Sequence, residues 1–462
     1  MRRDRRGQFS EPIRVAYTPS HLVTRPAAET ASAATGPLLV VATAVTALGG
    51  FLFGYDTAVI NGANQYLALY FQLTPAQVGL AGASAIVGCI PGAMFAGFFS
   101  DRYGRRQVLL ACAVLFAISA LLSAVPQTFT QFLIARWLGG LGVGASSMIC
   151  PVYIAEIAPA DKRGRLGSLF QMGIVTGIFI SLFVNAGVQA AGDAAWNTAY
   201  GWRWMLGSGL LPALGLLGLV VVAPESPRWL VQAGRREEAV PILARLVGAQ
   251  QAEAAAAALQ PATAERDGRL LELLSPAMRR PLLIAVVLMT VSQFSGINVV
   301  MYYSTQIFTF AGVGVRDAFW ASAVVGLVNL AATCVAVALV DRAGRRPLLL
   351  AGLAVQVVAL AATGWIFSAD RGGVALVASI LVFIAVFAMS LGPIPWSVTS
   401  RSRLSRCCTR RRRSARHGYS GSTALSACLV YYSWLSTFPR RRERRSKSSS
   451  RSGTQRLRRP AS

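Results

Sequence analysis

Long apolar runs separated by short polar loops dominate the chain of 462 residues. Ten of these runs approach or exceed the roughly 20 residues that a helix needs to cross a bilayer core. They lie at 38–61, 79–99, 108–125, 131–152, 167–189, 205–223, 281–307, 318–340, 348–367 and 374–398. The first run is too long for the apolar core of a signal peptide, so we expect a retained helix there. The pattern predicts an all-α, polytopic membrane protein.

The positive charges lie almost wholly on one side of the predicted spans. The segments on that side hold 23 Lys and Arg, and the opposite loops hold only Arg203, Arg316 and Arg371. Those segments are the N-terminal tail and the loops at 100–107, 159–166, 224–280 and 341–347. Because cytoplasmic loops are enriched in Lys and Arg, this bias predicts a cytoplasmic N-terminus.

Composition narrows the class further. The chain is 54% hydrophobic and only 14% charged, with a mean hydropathy of +0.50. These values exclude an ordinary soluble enzyme, a secreted disulfide scaffold and a disordered chain. No nucleophile–base pair, metal cluster or cofactor motif is apparent, so we expect neither an enzyme nor a bound cofactor or metal.

Two loops are near copies of each other, DRYGRR at 101–106 and DRAGRR at 341–346. Each follows the second span of its half, so the chain is predicted to be two related halves, an arrangement typical of transporters. The predicted segments are a cytoplasmic tail at 1–37, a six-helix bundle at 38–223, a linker with short amphipathic helices at 224–280, a four-helix half at 281–398 and a basic, mostly disordered tail at 399–462.

An ordered set of motifs carries a family resemblance. The motifs are FGYD (53–56), DRYGRR, RWLGGLGVG (136–144), PVYIAEIAP (151–159), RGR (163–165), PESPRWL (224–230), SQFSGINVVMYYS (292–304), DRAGRR and GPIPW (392–396). The chain resembles the sugar porters of the major facilitator superfamily across about 360 residues. The resemblance implies a major facilitator fold of two helical bundles and uptake of a monosaccharide by alternating access. The Ala, Arg and Gly bias of the composition favours a bacterial host, so we expect an inner-membrane location. We expect a monomer in the lipid bilayer with no specific nucleic-acid partner.

Burying an ionisable side chain in a membrane costs free energy, so such a residue inside a predicted span indicates a specific structural or functional role. Asp56 lies in the first span and Arg136 in the fourth, so they are predicted to pair. One interpretation is a structural pair that fixes two helices. The other is a proton switch, in which neutral Asp56 releases Arg136 and ionised Asp56 captures it. In porters that this chain resembles, an acid at the Asp56 position marks proton symport.

Amide and aromatic side chains in the spans are candidate sugar ligands, because amides match hydroxyls and aromatic rings match the face of a sugar. Asn298 and Tyr302 share a helix face, and Gln293 joins them if the helix breaks at Ser295-Gly296. The other candidates are Gln171, Trp396 and Phe53. The resemblance supports Gln171, Gln293, Asn298 and Trp396 as sugar-binding positions. Ser292 departs from the family, which commonly has Gln there.

Charged residues at the predicted cytoplasmic helix ends are candidates for a conformational latch. They are Asp101, Arg102, Arg105, Glu156, Arg163, Glu225, Arg228, Asp341, Arg342 and Arg345. On the predicted spans, Glu156 reaches the cytoplasmic end only if the fourth span bends at Pro151. The alternative for each residue alone is an exposed ion pair worth about 0–1 kcal/mol.

The resemblance stops after GPIPW. Residues 401–462 hold 18 Lys and Arg against one acid, Glu443. A frameshift is one hypothesis for this abrupt change, and a basic tail that binds anionic lipid or RNA is the alternative. Two further alternatives to proton-coupled uptake stay open: a facilitator or polyol porter, and a non-transporting product whose second half is incomplete.

Overall fold

Residues 36–159, 162–259, 283, 290, 293–343, 345–369 and 373–392 are described by the computed structural model. Within these ranges every regular element is helical, which confirms the all-α class. The helices are α1 (Pro37–Tyr70), α2 (Pro75–Tyr103), α3 (Arg105–Ala124), α4 (Phe129–Ile157), α5 (Arg163–Ala191), α6 (Ala194–Val222), α7 (Pro227–Gln232), α8 (Arg236–Val247), α9 (Ala249–Leu259), α10 (Ile297–Phe310), α11 (Val315–Ala343), α12 (Arg345–Ser368) and α13 (Val374–Ser390).

Eight of the described helices are long and apolar enough to cross a membrane: α1 to α6, α11 and α12. The helix α13 is a shorter apolar one, and α10 forms the second part of the predicted seventh span. Most of the first part of that span, and the end of the tenth, lie outside the described residues.

Among the described helices, the largest departures from the predicted spans are at the end of the first span and the start of the sixth, and both spans were too short. The first continues to Tyr70, because Asn61 and Asn64 are buried inside the protein and do not end the helix. The sixth begins at Ala194 with a π-helical turn at Asn197–Gly201, where interfacial Trp and Tyr residues lower the hydropathy of a genuine helix. The helix α6 is interrupted once more, at Ser208 and Gly209.

Close helix packing in the first half depends on small residues. A Cβ atom at Gly140 of α4 would lie 2.1 Å from the carbonyl oxygen of Ala85 in α2, and one at Gly144 would lie 2.2 Å from that of Cys89. Without side chains at these two positions the backbones approach closely, which is how membrane helices associate tightly in the absence of water.

The segment after α6 forms three short helices, α7 to α9, which pack on one another through Trp229, Leu230, Leu243 and Ala256. Short amphipathic helices were predicted within 224–280, and α8 (Arg236–Val247) is one helix in that segment. The acidic residues Glu237 and Glu238 in its first turn suit the positive end of the helix dipole.

The two predicted halves contact each other along α1 with α10 and α5 with α11. Two aromatic pairs add contacts to α11: Tyr66 of α1 packs on Phe319, and Phe183 of α5 meets Trp320 edge to face. These residues lie far along α1 and α5, towards the end of the bundle opposite the loop that joins α2 to α3. The described contacts therefore close one end of the protein.

Candidate functional site

An ion pair joins α1 to α4 inside the bundle. Arg136 Nη1 lies 2.6 Å from Asp56 Oδ1, and Arg136 Nη2 donates to the Asp56 backbone oxygen at 2.9 Å. The side chains are 3% and 16% exposed, so the pair is largely removed from solvent. Gly139 lies one turn after Arg136, where a Cβ atom would lie 2.4 Å from Ser119 Oγ and 3.5 Å from Asp56 Oδ1. The glycine therefore leaves room for the carboxylate beside α3.

Each member of this pair keeps one polar atom without a partner. Asp56 Oδ2 and Arg136 Nε are buried and make no hydrogen bond with any described residue. Buried polar groups in native proteins are nearly always satisfied, so an exception calls for a specific cause, such as a functional role or a bound water or ion. The structure thus brings the two predicted residues together and leaves capacity for a further ligand at the carboxylate.

The helix break predicted within the seventh span is present. Gly296 adopts a left-handed conformation with φ of 87°, between a helical segment at 293–294 and α10. The break lets Asn298 Nδ2 donate to Gln293 Oε1 at 2.7 Å, although the two lie on different faces of a straight helix. The Gln293 amino group and the Asn298 carbonyl oxygen remain free of other protein hydrogen bonds among the described residues.

Tyr302 lies one turn beyond Asn298 on α10. It is half-buried and packs on the core, and it lies within electrostatic range of both Asp56 and Arg136. The same short segment therefore carries the amide pair and approaches the ion pair. Phe53 is half-buried on α1, one turn before Asp56.

Gln171 on α5 is 7% exposed, and its Oε1 atom has no hydrogen-bond partner among the described residues. No hydrogen bond joins it to the Gln293–Asn298 pair within the described part of the chain. Trp396 lies outside the described residues.

A second charge cluster lies at the end of the bundle that carries the α2–α3 loop. Arg105 makes a two-pronged bond to Glu156, with Nε to Oε2 at 2.9 Å and Nη2 to Oε1 at 3.2 Å. Both side chains are 8% exposed. Arg105 Nη1 also donates to the Ser100 oxygen and to Asp101 Oδ1. Planar, two-pronged pairing of this kind is the strongest form of Arg–carboxylate contact.

Glu156 belongs to this cluster as the partner of Arg105. The helix α4 continues through Pro151 to Ile157, so Glu156 lies in its last turn. Ser226 Oγ donates to Glu156 Oε2 at 2.6 Å and ties the start of α7 to the pair. The predicted fourth span was therefore too short, because Pro151 is accommodated inside the helix.

Glu225 caps the start of α3. Its carboxylate accepts from the backbone N–H groups of Arg105 at 2.9 Å and Arg106 at 3.2 Å, which are otherwise unsatisfied first-turn donors. Burial raises the pKa of Glu225 above its usual value, and the N–H donors of Ser226, Arg106 and Arg105 oppose that rise. Gly104, with φ of 99°, makes the turn before α3.

The remaining latch candidates are placed differently. Arg102 is exposed, with its guanidinium 5.7 Å from the centre of the Tyr103 ring. Arg163 donates to the Ala158 oxygen at 3.3 Å, and Arg228 is exposed. The side chains of Asp341, Arg342 and Arg345 lie outside the described residues.

Sequence reasoning missed two groups. Arg106 donates through Nε to the Val220 oxygen at 3.2 Å and closes the end of α6. Asn61 of α1 forms a buried polar cluster with α10: its Nδ2 donates to the Met301 oxygen at 2.8 Å and to Ser304 Oγ at 2.7 Å, and its Oδ1 accepts from the Thr305 hydroxyl. An Asn inside an apolar run was the available signal.

A bundle of long apolar helices with buried ion pairs and a broken helix that bears amides defines a multi-pass membrane transporter. The family described as "Sugar (and other) transporter" has a model that matches residues 42–407. The chain belongs to this family and has the major facilitator fold.

Individual relatives agree with the family assignment. The arabinose-proton symporter of Bacillus subtilis (strain 168) is 39% identical over 355 residues, 76% of each chain. The D-xylose-proton symporter of Escherichia coli (strain K12) is 38% identical over 387 residues, 78% of each. A solved structure of the E. coli xylose transporter, in a partially occluded inward-open conformation, has a TM-score of 0.70 at 34% identity and covers 86% of this chain and 92% of its own.

Proposed function

We propose that this protein takes up a monosaccharide together with protons by alternating access. The observation that carries the proposal is the buried Asp56–Arg136 pair, with Tyr302 in electrostatic range and the Gln293–Asn298 amides on the same segment. Relatives named as arabinose-proton and D-xylose-proton symporters support both the sugar and the proton as transported species. The function involves no covalent chemistry on the substrate.

Asp56 is the proposed proton carrier. When ionised, it holds Arg136 at 2.6 Å and thereby ties α1 to α4. Protonation removes the attraction that offsets the burial of Arg136, so the guanidinium must find another partner or water. The proton therefore changes the relation of two helices in the first bundle, which is what coupling to a conformational change requires.

The amides of α10 and α5 are the proposed sugar ligands. Gln293 and Asn298 already bind each other, so one sugar hydroxyl can accept from the Gln293 amino group while another donates to the Asn298 oxygen. Gln171 contributes an unpartnered Oε1 from the other half. Phe53 and Trp396 are proposed to contact the apolar face of the ring.

Two gates are proposed at the two ends of the bundle. The Asn61 cluster with α10 closes the end opposite the arginine loops. The Arg105–Glu156–Glu225 cluster organises the other end, and we propose that it forms the latch together with Arg163, Arg228 and the second loop copy at Asp341, Arg342 and Arg345. The likeness to a structure titled as inward open is consistent with a closed outer end.

The excess of Lys and Arg in the arginine loops supports a cytoplasmic N-terminus. We propose a monomer in the bacterial inner membrane, with the two bundles joined by 224–280.

Reconstituted vesicles loaded with a pH-sensitive dye test the proposal. External L-arabinose or D-xylose, added without an imposed gradient, is expected to acidify the vesicle interior as sugar enters. Entry of labelled sugar without acidification would identify a facilitator, and acidification by D-sorbitol alone would identify a polyol porter. Vesicles that carry the Asp56→Asn variant provide the baseline.

A further inference from the structure

A small cavity lies beside Asp56, and none of the predicted sugar ligands among the described residues lines it. Its volume is about 20 Å³, and residues of α1, α3 and α6 form its walls. The lining residues are Leu52, Tyr55, Asp56, Val59, Phe116, Ala120, Leu206 and Gly209. A cavity needs roughly 10–15 Å³ to hold one water molecule, so this one has room for a single water.

The wall of this cavity opposite Asp56 is the interruption in α6. There the backbone hydrogen bond from Gly209 to the Leu206 oxygen is long, at 3.4 Å, and Leu211 donates to the Ser208 oxygen at 3.3 Å. Pro212 has no N–H to bond the Ser208 oxygen four residues earlier, and a Ser-Gly pair is itself a common place for a helix to be interrupted. The backbone groups at the break supply polar partners that an apolar wall would lack.

Tyr55 holds the break in place from α1. Its hydroxyl lies 2.7 Å from Ser208 Oγ. Ser208 Oγ donates its one proton to the Met205 oxygen, so Tyr55 must be the donor to Ser208. Tyr55 and Ser208 are therefore positioning residues: they fix the geometry of the break without contact to the carboxylate.

Among the described residues, Asp56 is the only charged one in the lining, and its buried Oδ2 has no partner within that part of the chain. Arg136 faces the carboxylate from α4, while Cys89 of α2 and Tyr302 of α10 lie within electrostatic range. None of these three lines the cavity. The carboxylate therefore meets its cation through Oδ1 and has Oδ2 available for a different partner.

We propose that this cavity is a water site that delivers the proton to Asp56 Oδ2. A hydronium in the site gives one proton to the carboxylate, leaving a water molecule and a neutral carboxyl, while Arg136 keeps its charge. The proton then enters between α3 and α6 and does not share the path of the sugar. This inference rests on the proposed role of Asp56 as the proton carrier.

A matched pair of glycine substitutions on α6 tests the water site. A Cβ atom at Gly209 would sit 3.5 Å from the Leu206 oxygen and 3.6 Å from the Tyr55 ring, ordinary contacts that fill the cavity without a clash. Gly209 has a helical φ of −62°, so alanine introduces no backbone strain there. A Cβ atom at Gly218 meets nothing within 4 Å, so Gly218→Ala is the control.

The measurement is the rate at which the infrared band of the protonated Asp56 carboxyl appears after a pH jump, with Asp56→Asn used to assign the band. Gly209→Ala is expected to slow protonation by about tenfold, as loss of one bridging water would, while Gly218→Ala keeps the parent rate. Ala120→Val, with exposed Ala111→Val as its control, fills the same cavity from α3 and should act alike.

If Asp56 is protonated at the parent rate in both cavity-filling variants, the proposed water site is wrong, while the proposed role of Asp56 as proton carrier is unaffected. Absence of a titrating Asp56 band in the parent protein would overturn both. Equilibrium sugar binding, measured on the same samples, should stay unchanged in Gly209→Ala, because the cavity lies apart from the sugar ligands.

Discussion

Asn61 of the first bundle donates a 2.7 Å hydrogen bond to Ser304 of the second, inside a cluster in which Ser304 also donates to Ser322 at 2.9 Å. All three side chains are buried, at 2% exposure or less. Alternating access requires such contacts to break whenever this end of the protein opens. The cluster therefore sets part of the free-energy difference between the closed and open states.

Asn61→Ala should shift that equilibrium towards the open state. The variant removes several hydrogen bonds and leaves buried partners unsatisfied, at a cost of about 1–3 kcal/mol, which corresponds to roughly a 5–150-fold change in the equilibrium constant. Spin labels at the exposed positions Leu69 and Phe310, in a background without native cysteines, would report the change as a population of longer distances.

The control for Asn61 is Thr363→Val. Thr363 bonds Ser379 at 3.0 Å within the second bundle, so its loss should leave the distances between bundles unchanged. Equal distance shifts in the two variants would show that the Asn61 cluster has no specific role between the bundles.

Arg105→Ala should destabilise the protein far more than Arg102→Ala, although the two arginines are three residues apart in one motif. Loss of Arg105 leaves Glu156 buried without its cation, at about 3–5 kcal/mol, whereas exposed Arg102 should change stability by no more than about 0.5 kcal/mol. Thermal unfolding in detergent measures both. Similar melting temperatures for the two variants would contradict the assignment of Arg105 as the organising residue.

Gly104→Ala should be more destabilising than Gly234→Ala. Both glycines have positive φ, 99° and 79°, so both variants carry backbone strain, and at Gly104 the ψ of 164° lies in a region that essentially only glycine occupies, at a cost of about 1–3 kcal/mol. At Gly104 the new Cβ atom would also lie 2.3 Å from Glu225 Oε2 and 3.3 Å from the Trp229 ring, whereas no described atom lies within 4 Å at Gly234. The larger loss of unfolding free energy at Gly104 would report backbone strain and these contacts together, and equal losses would contradict a tightly packed cap.

Glu225 should make stability depend on pH. Because burial raises its pKa in the folded state, the folded protein holds this proton more tightly than the unfolded chain does. Its contribution is therefore fully present below the usual pKa of a glutamate and is lost as the pH rises through the raised value. The stability of the parent relative to Glu225→Gln should fall with rising pH across that window, and a rise would mean that the N–H donors outweigh burial.

The helices were largely predictable because apolar length is a direct signature of a span. The ends of α1 and α6 were not, since Asn61 and the Asn64 amino group form hydrogen bonds with the partner bundle and interfacial Trp and Tyr lower the local hydropathy. A hydropathy scale scores each residue separately and therefore does not include hydrogen bonds to another part of the fold. The same limitation hid the extension of α4 through Pro151 to Glu156.

The contacts of the site were predictable to different degrees. The Asp56–Arg136 contact followed from the cost of lone charges in a membrane, and the break at Gly296 followed from Ser-Gly within an apolar run. The cap by Glu225 and the role of Arg106 did not follow, because both depend on where the end of α6 meets the start of α3. The functional roles of these residues stay predictions.

The most direct test of the central claim compares uphill uptake with exchange in vesicles that carry the parent protein, Asp56→Asn or Asp317→Asn. Asp317 is an exposed acid in the first turn of α11 and controls for the loss of a carboxylate. We expect Asp56→Asn to lose sugar accumulation driven by an imposed proton gradient while it retains exchange of labelled for unlabelled sugar, and Asp317→Asn to keep both. Proton-driven accumulation that survives in Asp56→Asn would contradict the proposed coupling.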